Sequence, residues 1–438
     1  MVEPEFLQFK TIQLLIRLRL QNGAFFKSEK KIIHLTSSSD QWHQCVDLSN
    51  TALKSQSQRQ IRKKMATGGV NRKISAASAR AHTRKPNKKS SFPLGILRTA
   101  LAVLLIGFIA WAYQAIRPPP PKICGSPDGP HITAPRIKLR DGRNLAYQEH
   151  GVPKDAAKYK IIYVHGFDSC RHDAVVAKTL SPDLAENLGV YIVSFDRPGY
   201  GESDPDPNRT VKSQALDIEE LADKLGLGSK FYIIGFSLGG QATWGCLKYI
   251  PKRLAGAVLI APAINYWWHG LPINLTNEVF YKQKLQDQWT LRVAHYTPWL
   301  TYWWNTQQWF PASSLIGRSI DVLSSQDKEI ISKRSDRQSY VAQVRQQGEY
   351  ETIHRDLNIG FGNWEFSPLD LENPFPNNEG PIHLWQGDED LLVPVEAQRY
   401  IAEKLPWIHY HELQGAGHLF PHAEGICDTI IKSLLLGK

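Results

Sequence analysis

The run Phe231-Tyr232-Ile233-Ile234 passes without a break into Gly235-Phe236-Ser237-Leu238-Gly239, and a helix-forming stretch, Gln241-Ala242-Thr243-Trp244, follows. A strand that must turn into a helix over so few residues admits few backbones. The middle residue is forced into a strained conformation, and its side chain stands clear of the sheet. Gly235 and Gly239 have no side chain to collide with it, and Gly240 adds freedom on the helix side. The first N–H groups of the helix carry the positive end of its dipole toward whatever the serine attacks. Ser237 is therefore the candidate nucleophile.

A serine hydroxyl is a poor nucleophile without a base, and the base needs an acid to orient it. Both are expected at strand ends further along. The run Ile382 to Gln386 leads into Gly387-Asp388-Glu389-Asp390, then Val393-Pro394. Asp390 is the candidate acid, since it lies past the turn glycine and before the proline that starts a helix; Asp388 and Glu389 are the fallbacks. The run Ile408–Leu413 leads into Gln414-Gly415-Ala416-Gly417-His418, where two glycines free the backbone to swing His418 over the serine. His409, His411 and His422 lie in the strand or the next helix and are weaker candidates. The order Ser237, Asp390, His418 matches one serine-hydrolase architecture and neither common protease order. An oxyanion needs two donors. These are expected from the N–H of Leu238 and the N–H of Phe167, the latter in His165-Gly166-Phe167-Asp168 after the strand Ile161–Val164. His165 is read as a brace for that loop.

Charge narrows the function classes. The net charge is +10, but residues 1 to 98 hold 19 Lys+Arg against 5 Asp+Glu, and the remainder holds 33 against 37. The folded part is slightly acidic, without the basic face that nucleic-acid binding needs. Five scattered cysteines show no metal-ligand spacing and no disulfide framework, although a Cys124 disulfide stays open in an oxidising compartment. No metal and no cofactor are expected.

The basic N-terminal region, residues 1 to 98, is expected to be disordered. Met65-Ala66-Thr67-Gly68-Gly69 looks like a protein start, so residues 1 to 64 read either as a disordered extension or as a stretch foreign to the native chain. Thr99 to Ile116 is an uncharged run of 18 residues, close to the number needed to cross a bilayer. Basic residues crowd its N-terminal side, which places the N-terminus in the cytoplasm and residues 117 onward across the membrane. A cleaved signal peptide and a plastid or mitochondrial transit peptide are the competing readings. The prolines of 117 to 135 form a stiff linker. Two sequons, Asn208-Arg209-Thr210 and Asn274-Leu275-Thr276, would report a lumenal domain.

From 136 onward short apolar runs alternate with helical segments. Strands are expected at 144–149, 160–164, 190–195, 231–234, 255–260, 382–385 and 408–413, and helices at 174–188, 211–225, 237–250, 395–405 and 422–435. That rhythm indicates an α/β fold with a mostly parallel sheet covered on both faces. Residues 263 to 380 break it and hold eight of the thirteen tryptophans. They are expected to form a helical cap between two parts of the core, 136–262 and 381–438. Its rings either pack a small core of their own or line an apolar substrate pocket.

His165-Gly166, Asp196-Arg197-Pro198-Gly199-Tyr200-Gly201-Glu202-Ser203, the turn Gly235–Gly239, the loop Gly387–Pro394 and the loop Gly415–His418 come in one order, each on its expected strand end. Together they resemble the α/β-hydrolase superfamily over residues 137 to 438. The wider pattern, with Gly125-Ser126-Pro127-Asp128-Gly129-Pro130, is similar to a plant group of membrane-anchored α/β-hydrolases of unassigned substrate. The resemblance implies an eight-stranded sheet and hydrolysis of an ester or related acyl bond through an acyl-enzyme, on a moderately apolar small molecule or lipid. Epoxide hydrolases and dehalogenases of the superfamily carry an aspartate at the position of Ser237, which disfavours their chemistry. A small-molecule receptor on the same fold and an acyltransferase are the alternatives. The membrane is the one other partner expected, through 99–116; oligomeric state is left open.

Overall fold

The computed structural model describes residues 94–334, 336–377 and 380–437. The basic stretch up to 92, including both readings of residues 1 to 64, lies outside the described residues. Helix α1 spans Leu94–Ile116, so 94 to 98 are helical where disorder was expected. Leu94, Ile96 and Leu97 extend the apolar run by one turn. Its stretch Gly95–Ile116, 22 residues with a mean hydropathy of 2.0, is long and apolar enough to cross a membrane and buries none of itself in the protein.

The sheet comprises β1 (Arg136–Lys138), β2 (Asn144–Gly151), β3 (Tyr159–Val164), β4 (Val190–Phe195), β5 (Phe231–Phe236), β6 (Leu254–Ile260), β7 (Ile382–Gly387) and β8 (His409–Leu413). Its spatial order is β1-β2-β4-β3-β5-β6-β7-β8, with β2 antiparallel to both neighbours and all later pairs parallel. Val164 lies opposite both Phe195 and Gly235, Phe236 opposite Ile260, and Gly387 opposite Leu413. The C-terminal ends of β3 to β8 therefore form one continuous rim, the edge where open α/β sheets place their ligands.

Between strands lie α2 (Val175–Thr179), α3 (Pro182–Leu188), α4 (Val211–Lys224) and α5 (Leu238–Tyr249). The single helix expected over 174–188 is two, because Pro182 has no N–H to continue the ladder and instead starts the second. Residues alternate between faces along each strand. Ile162, Val193 and Ile233 pack with α4 and α5, whose Trp244 is fully buried. Ile161, Ile192, Ile234 and Val258 pack on the other face, where the last helix contributes Ile430, Ile431 and Leu434.

After β6 the chain leaves the sheet and forms α6 (Ile273–Tyr281), α7 (Leu285–Tyr296), α8 (Thr301–Thr306), α9 (Ser325–Lys333), α10 (Arg337–Val344), a π-helical turn Tyr350–His354, and α11 (Arg355–Gly360). It returns through β7, α12 (Val395–Lys404) and β8 to α13 (Ile426–Leu436), which starts later than expected because Gly425 sits at φ 77 as its N-cap. The inserted segment packs rings of its own. Trp267 stacks on His295 at 4.1 Å and Trp268 meets Trp364 at 5.1 Å. Other rings, Trp289, Trp299 and Trp309 among them, stay exposed.

Ion pairs fasten this insertion to the sheet. Asp356 of α11 receives Arg197, Arg209 and the Tyr200 hydroxyl, all buried. Asp168, on the loop after β3, receives Arg318 at 2.6 Å and Arg345 at 2.7 Å, with Arg337 donating to its backbone carbonyl at 2.8 Å. Cys124, Cys170, Cys246 and Cys427 are buried and free, so among the described residues the open Cys124 disulfide is not formed.

Candidate active site

Ser237 follows the last residue of β5 and precedes the first of α5, with φ 53 and ψ −120. Only glycine adopts such angles freely, and a serine held there stores roughly 1–3 kcal/mol of strain. Three bonds enforce it. The Ser237 N–H donates to Ile260 O at 2.9 Å, and its carbonyl accepts from Gly240 at 2.9 Å and Ala263 at 3.0 Å. A Cβ on Gly235 would strike the Thr243 side chain and the Gly239 backbone, and one on Gly239 would strike the carbonyls of Val164 and His165. The two glycines are thus required by backbone crowding on both sides of the turn. Ser237 itself is half-buried.

His418 and Asp390 come together from loops 28 residues apart, with His418 Nδ1 2.7 Å from Asp390 Oδ2. Both side chains are almost fully buried. Asp390 is held from behind: its Oδ1 accepts from the N–H groups of Leu392 and Val393 at 2.9 Å each, and its Oδ2 from Gln386 Nε2 at 3.0 Å. A carboxylate so supplied keeps its lone pair on Nδ1–H, which leaves Nε2 of a neutral His418 as the free acceptor. Burial pulls the imidazole pKa down, but the charge and hydrogen bond of Asp390, with the charge of Asp327, outweigh it and the net displacement is upward. The Phe236 ring, next to Ser237, lies 5.1 Å from the His418 ring. Among the described residues Ser237 Oγ makes no hydrogen bond to His418, so the structure joins the acid to the base directly and the serine to them through Phe236.

Of the two fallback acids, Asp388 accepts from the Gly415 N–H at 2.7 Å and so ties the acid loop to the histidine loop. Glu389 uses its backbone, donating to Ala416 O at 2.9 Å. Neither carboxylate is on His418. The weaker histidines are occupied elsewhere: His411 with His383 at 2.9 Å, and His422 with Arg334 at 2.9 Å.

The loop after β3 comes close to the serine, since a Cβ on Gly166 would lie 3.1 Å from Ser237 Cβ. His165 Nε2 accepts the Arg197 N–H at 3.0 Å, so its proton is on Nδ1, which donates to Gly166 O at 2.8 Å. Arg197 Nη2 donates to the same carbonyl at 2.8 Å. That carbonyl is pinned, and in a trans peptide the Phe167 N–H points the opposite way. Neither Phe167 N–H nor Leu238 N–H donates to another backbone group among the described residues. Burial, then Arg197, lowers the His165 pKa to about 3, which keeps this brace neutral.

One residue of the site went unforeseen. Asp327 of α9 accepts the N–H of His418 at 3.0 Å and that of Leu419 at 2.7 Å, while capping its own helix with Ser324. A Cβ on Gly417 would run into Asp327, which explains the glycine before His418. The only trace in the sequence is the Ser324-x-x-Asp327 capping pattern.

A cavity of about 350 Å³ lies beside the acid loop, lined by Lys282, Lys284, Asp388, Glu389, Asp390 and Val395 among others. No group of side chains among the described residues is arranged to hold a metal.

A parallel sheet that delivers a strained serine, a buried histidine–carboxylate pair and a braced glycine loop to one rim has the architecture of the α/β-hydrolases. The chain belongs to the alpha/beta hydrolase family, whose sequence profile matches residues 161–426, more than half of its length. A probable lysophospholipase, BODYGUARD 2 of Arabidopsis thaliana, is 21% identical over 284 residues, 61% of this chain and 56% of that protein. A putative 2-succinyl-6-hydroxy-2,4-cyclohexadiene-1-carboxylate synthase of Bacillus subtilis (strain 168) is 26% identical over 126 residues, 28% of this chain and 42% of that one. The chain spans about half the length of these curated relatives. A solved thermophilic esterase from Thermogutta terrifontis shares 19% identity at a TM-score of 0.44, covering 69% of this chain and 97% of the other.

Proposed function

We propose that the protein is a membrane-anchored serine hydrolase that cleaves an ester or related acyl bond of a moderately apolar small molecule or lipid. In this reading Ser237 Oγ attacks the acyl carbon and His418 Nε2 takes its proton. Asp390 holds the imidazole in the right tautomer and stabilises the imidazolium. The N–H groups of Phe167 and Leu238 receive the oxyanion. Collapse expels the alcohol, which takes the proton back from His418. Water, deprotonated by the same nitrogen, then attacks the acyl-enzyme, and the carboxylic acid leaves with Ser237 restored.

One observation carries this: a serine held at φ 53 on the rim where the buried Asp390–His418 pair also ends. The probable lysophospholipase among the relatives fits a lipid ester as substrate. Helix α1 would hold the domain at the membrane, with its N-terminus cytoplasmic and the catalytic domain lumenal; the exposed Asn208 and Asn274 suit that side.

A fluorophosphonate probe tests the chemistry. The full-length protein should label and should turn over a short-chain nitrophenyl ester. Ser237→Ala should not label, and its turnover should fall by at least about a thousand-fold. A wild-type protein that neither labels nor hydrolyses any such ester would sink the proposal.

A further inference from the structure

The cap carries an apolar face that the catalytic proposal does not use. Trp309 is 75% exposed, Tyr296 67%, Trp299 60%, Phe310 54% and Trp289 48%. These rings are not scattered singly. Trp304 links Trp289 at 6.1 Å to Phe310 at 5.7 Å, and Trp303 meets Trp309 at 5.9 Å. From Tyr296 to Gly317, 22 consecutive residues carry no Asp, Glu, Lys or Arg, although 21% of the whole chain is charged. An exposed patch of this kind on a soluble domain marks an interaction surface. Within that stretch no side-chain charge need be desolvated when it is covered, with Arg292, 5.4 Å from the Trp289 ring, at its border, and tryptophan and tyrosine are the residues enriched where membrane meets water.

The way the chain leaves α1 says what covers it. The Lys122 N–H donates to Gln347 O at 2.8 Å, and the Cys124 N–H to Gln347 Oε1 at 3.0 Å. Gln347 is itself buried in the cap. Only five residues, Arg117 and four prolines, separate Ile116 from Lys122. At ~3.1 Å per residue such a segment reaches at most about 20 Å. Helix α1 also lies beside α8, the helix that bears Trp303 and Trp304. The cap is thus the part of the domain tied nearest to the helix that crosses the bilayer.

We infer that the uncharged aromatic face of the cap, Tyr296 to Phe310 with Trp289, lies in the interfacial layer of the same lipid bilayer that α1 crosses. This rests on the anchored reading above and adds a second membrane contact to it. Rings sit at headgroup depth, with their polar N–H and O–H edges toward water.

The test uses full-length protein in phosphatidylcholine vesicles, with Trp111→Phe to silence the helix's own tryptophan. Lipids brominated near the headgroup should quench part of the remaining tryptophan emission. The double variant Trp299→Gln, Trp309→Gln should lose that quenched part and keep its melting temperature, because both rings are exposed. If aqueous iodide quenches these two tryptophans and brominated lipid does not, the inference fails. If they are shielded from both quenchers, a protein or a second copy covers the face and the inference fails again. Alkaline carbonate separates the two claims. Extraction of the protein overturns the anchor, whereas retention together with iodide quenching overturns the cap contact alone.

Discussion

At the scale of single residues, the site depends on a carboxylate that does no chemistry. Asp327 sits beneath His418 and holds the backbone that presents it, and its charge helps to raise the imidazole pKa above the ordinary 6.5. In the proposed mechanism His418 is the general base and must be neutral to act, so the acid limb of the pH–rate profile should inflect above that value. Asp327→Asn removes the charge and one of the two acceptors. The acid limb should move to lower pH, and kcat should fall by roughly ten- to a hundred-fold as His418 loses its position. An unmoved limb would mean that Asp327 only caps its helix. The contrast in legibility is physical. Ser237, Asp390 and His418 are marked by the local turn chemistry of the loops that carry them. Asp327 lies 91 residues before His418, in a segment without strand rhythm, and its role arises only when the cap folds back.

At the scale of elements, most strands and helices were readable because buried parallel strands are short continuous apolar runs. Val190–Phe195 coincides with its expectation. Strand β1 was missed, since three residues, Arg-Ile-Lys, make no periodic signal. The helices of the cap were unreadable for another reason: their rings satisfy each other, as Trp267 and His295 do, rather than a sheet face. The junction between cap and core is electrostatic. Burial raises the Asp168 pKa, but hydrogen bonds and charges from Arg318 and Arg345 bring it below 3.8. Its contribution is present above 3.8 and is lost as pH falls through the depressed folded value. Asp168→Asn takes the carboxylate charge from Arg318, Arg337 and Arg345, although Arg345 keeps Glu349 and Arg337 keeps Asp173. Arg318 and Arg337 are partly in water, which softens the cost, so we expect a loss of about 1–3 kcal/mol at neutral pH. Denaturant melts would read it, and equal stability of both proteins would refute the clamp.

For the whole molecule, buried imidazoles set the response to acid. Burial is the largest cause lowering His150, His354, His383 and His422 to about 4 and His165 to about 3. An unfolded chain takes up protons on these rings as pH drops below 6.5, while the folded one does not. Stability should therefore decline from about pH 6.5 toward pH 4, with Asp217, which burial raises to about 6, offsetting part of the loss because it takes up its proton in the folded state. Melting temperature against pH checks this, and a flat profile over that range would contradict it.

The short proline tether has a kinetic meaning of its own. If α1 crosses a bilayer as proposed, a domain tethered within about 20 Å of it by five residues does not sample the bulk solution. It searches in two dimensions. What such an enzyme senses is the mole fraction of substrate among the lipids, so diluting the membrane with inert lipid slows it and diluting the water around it does not.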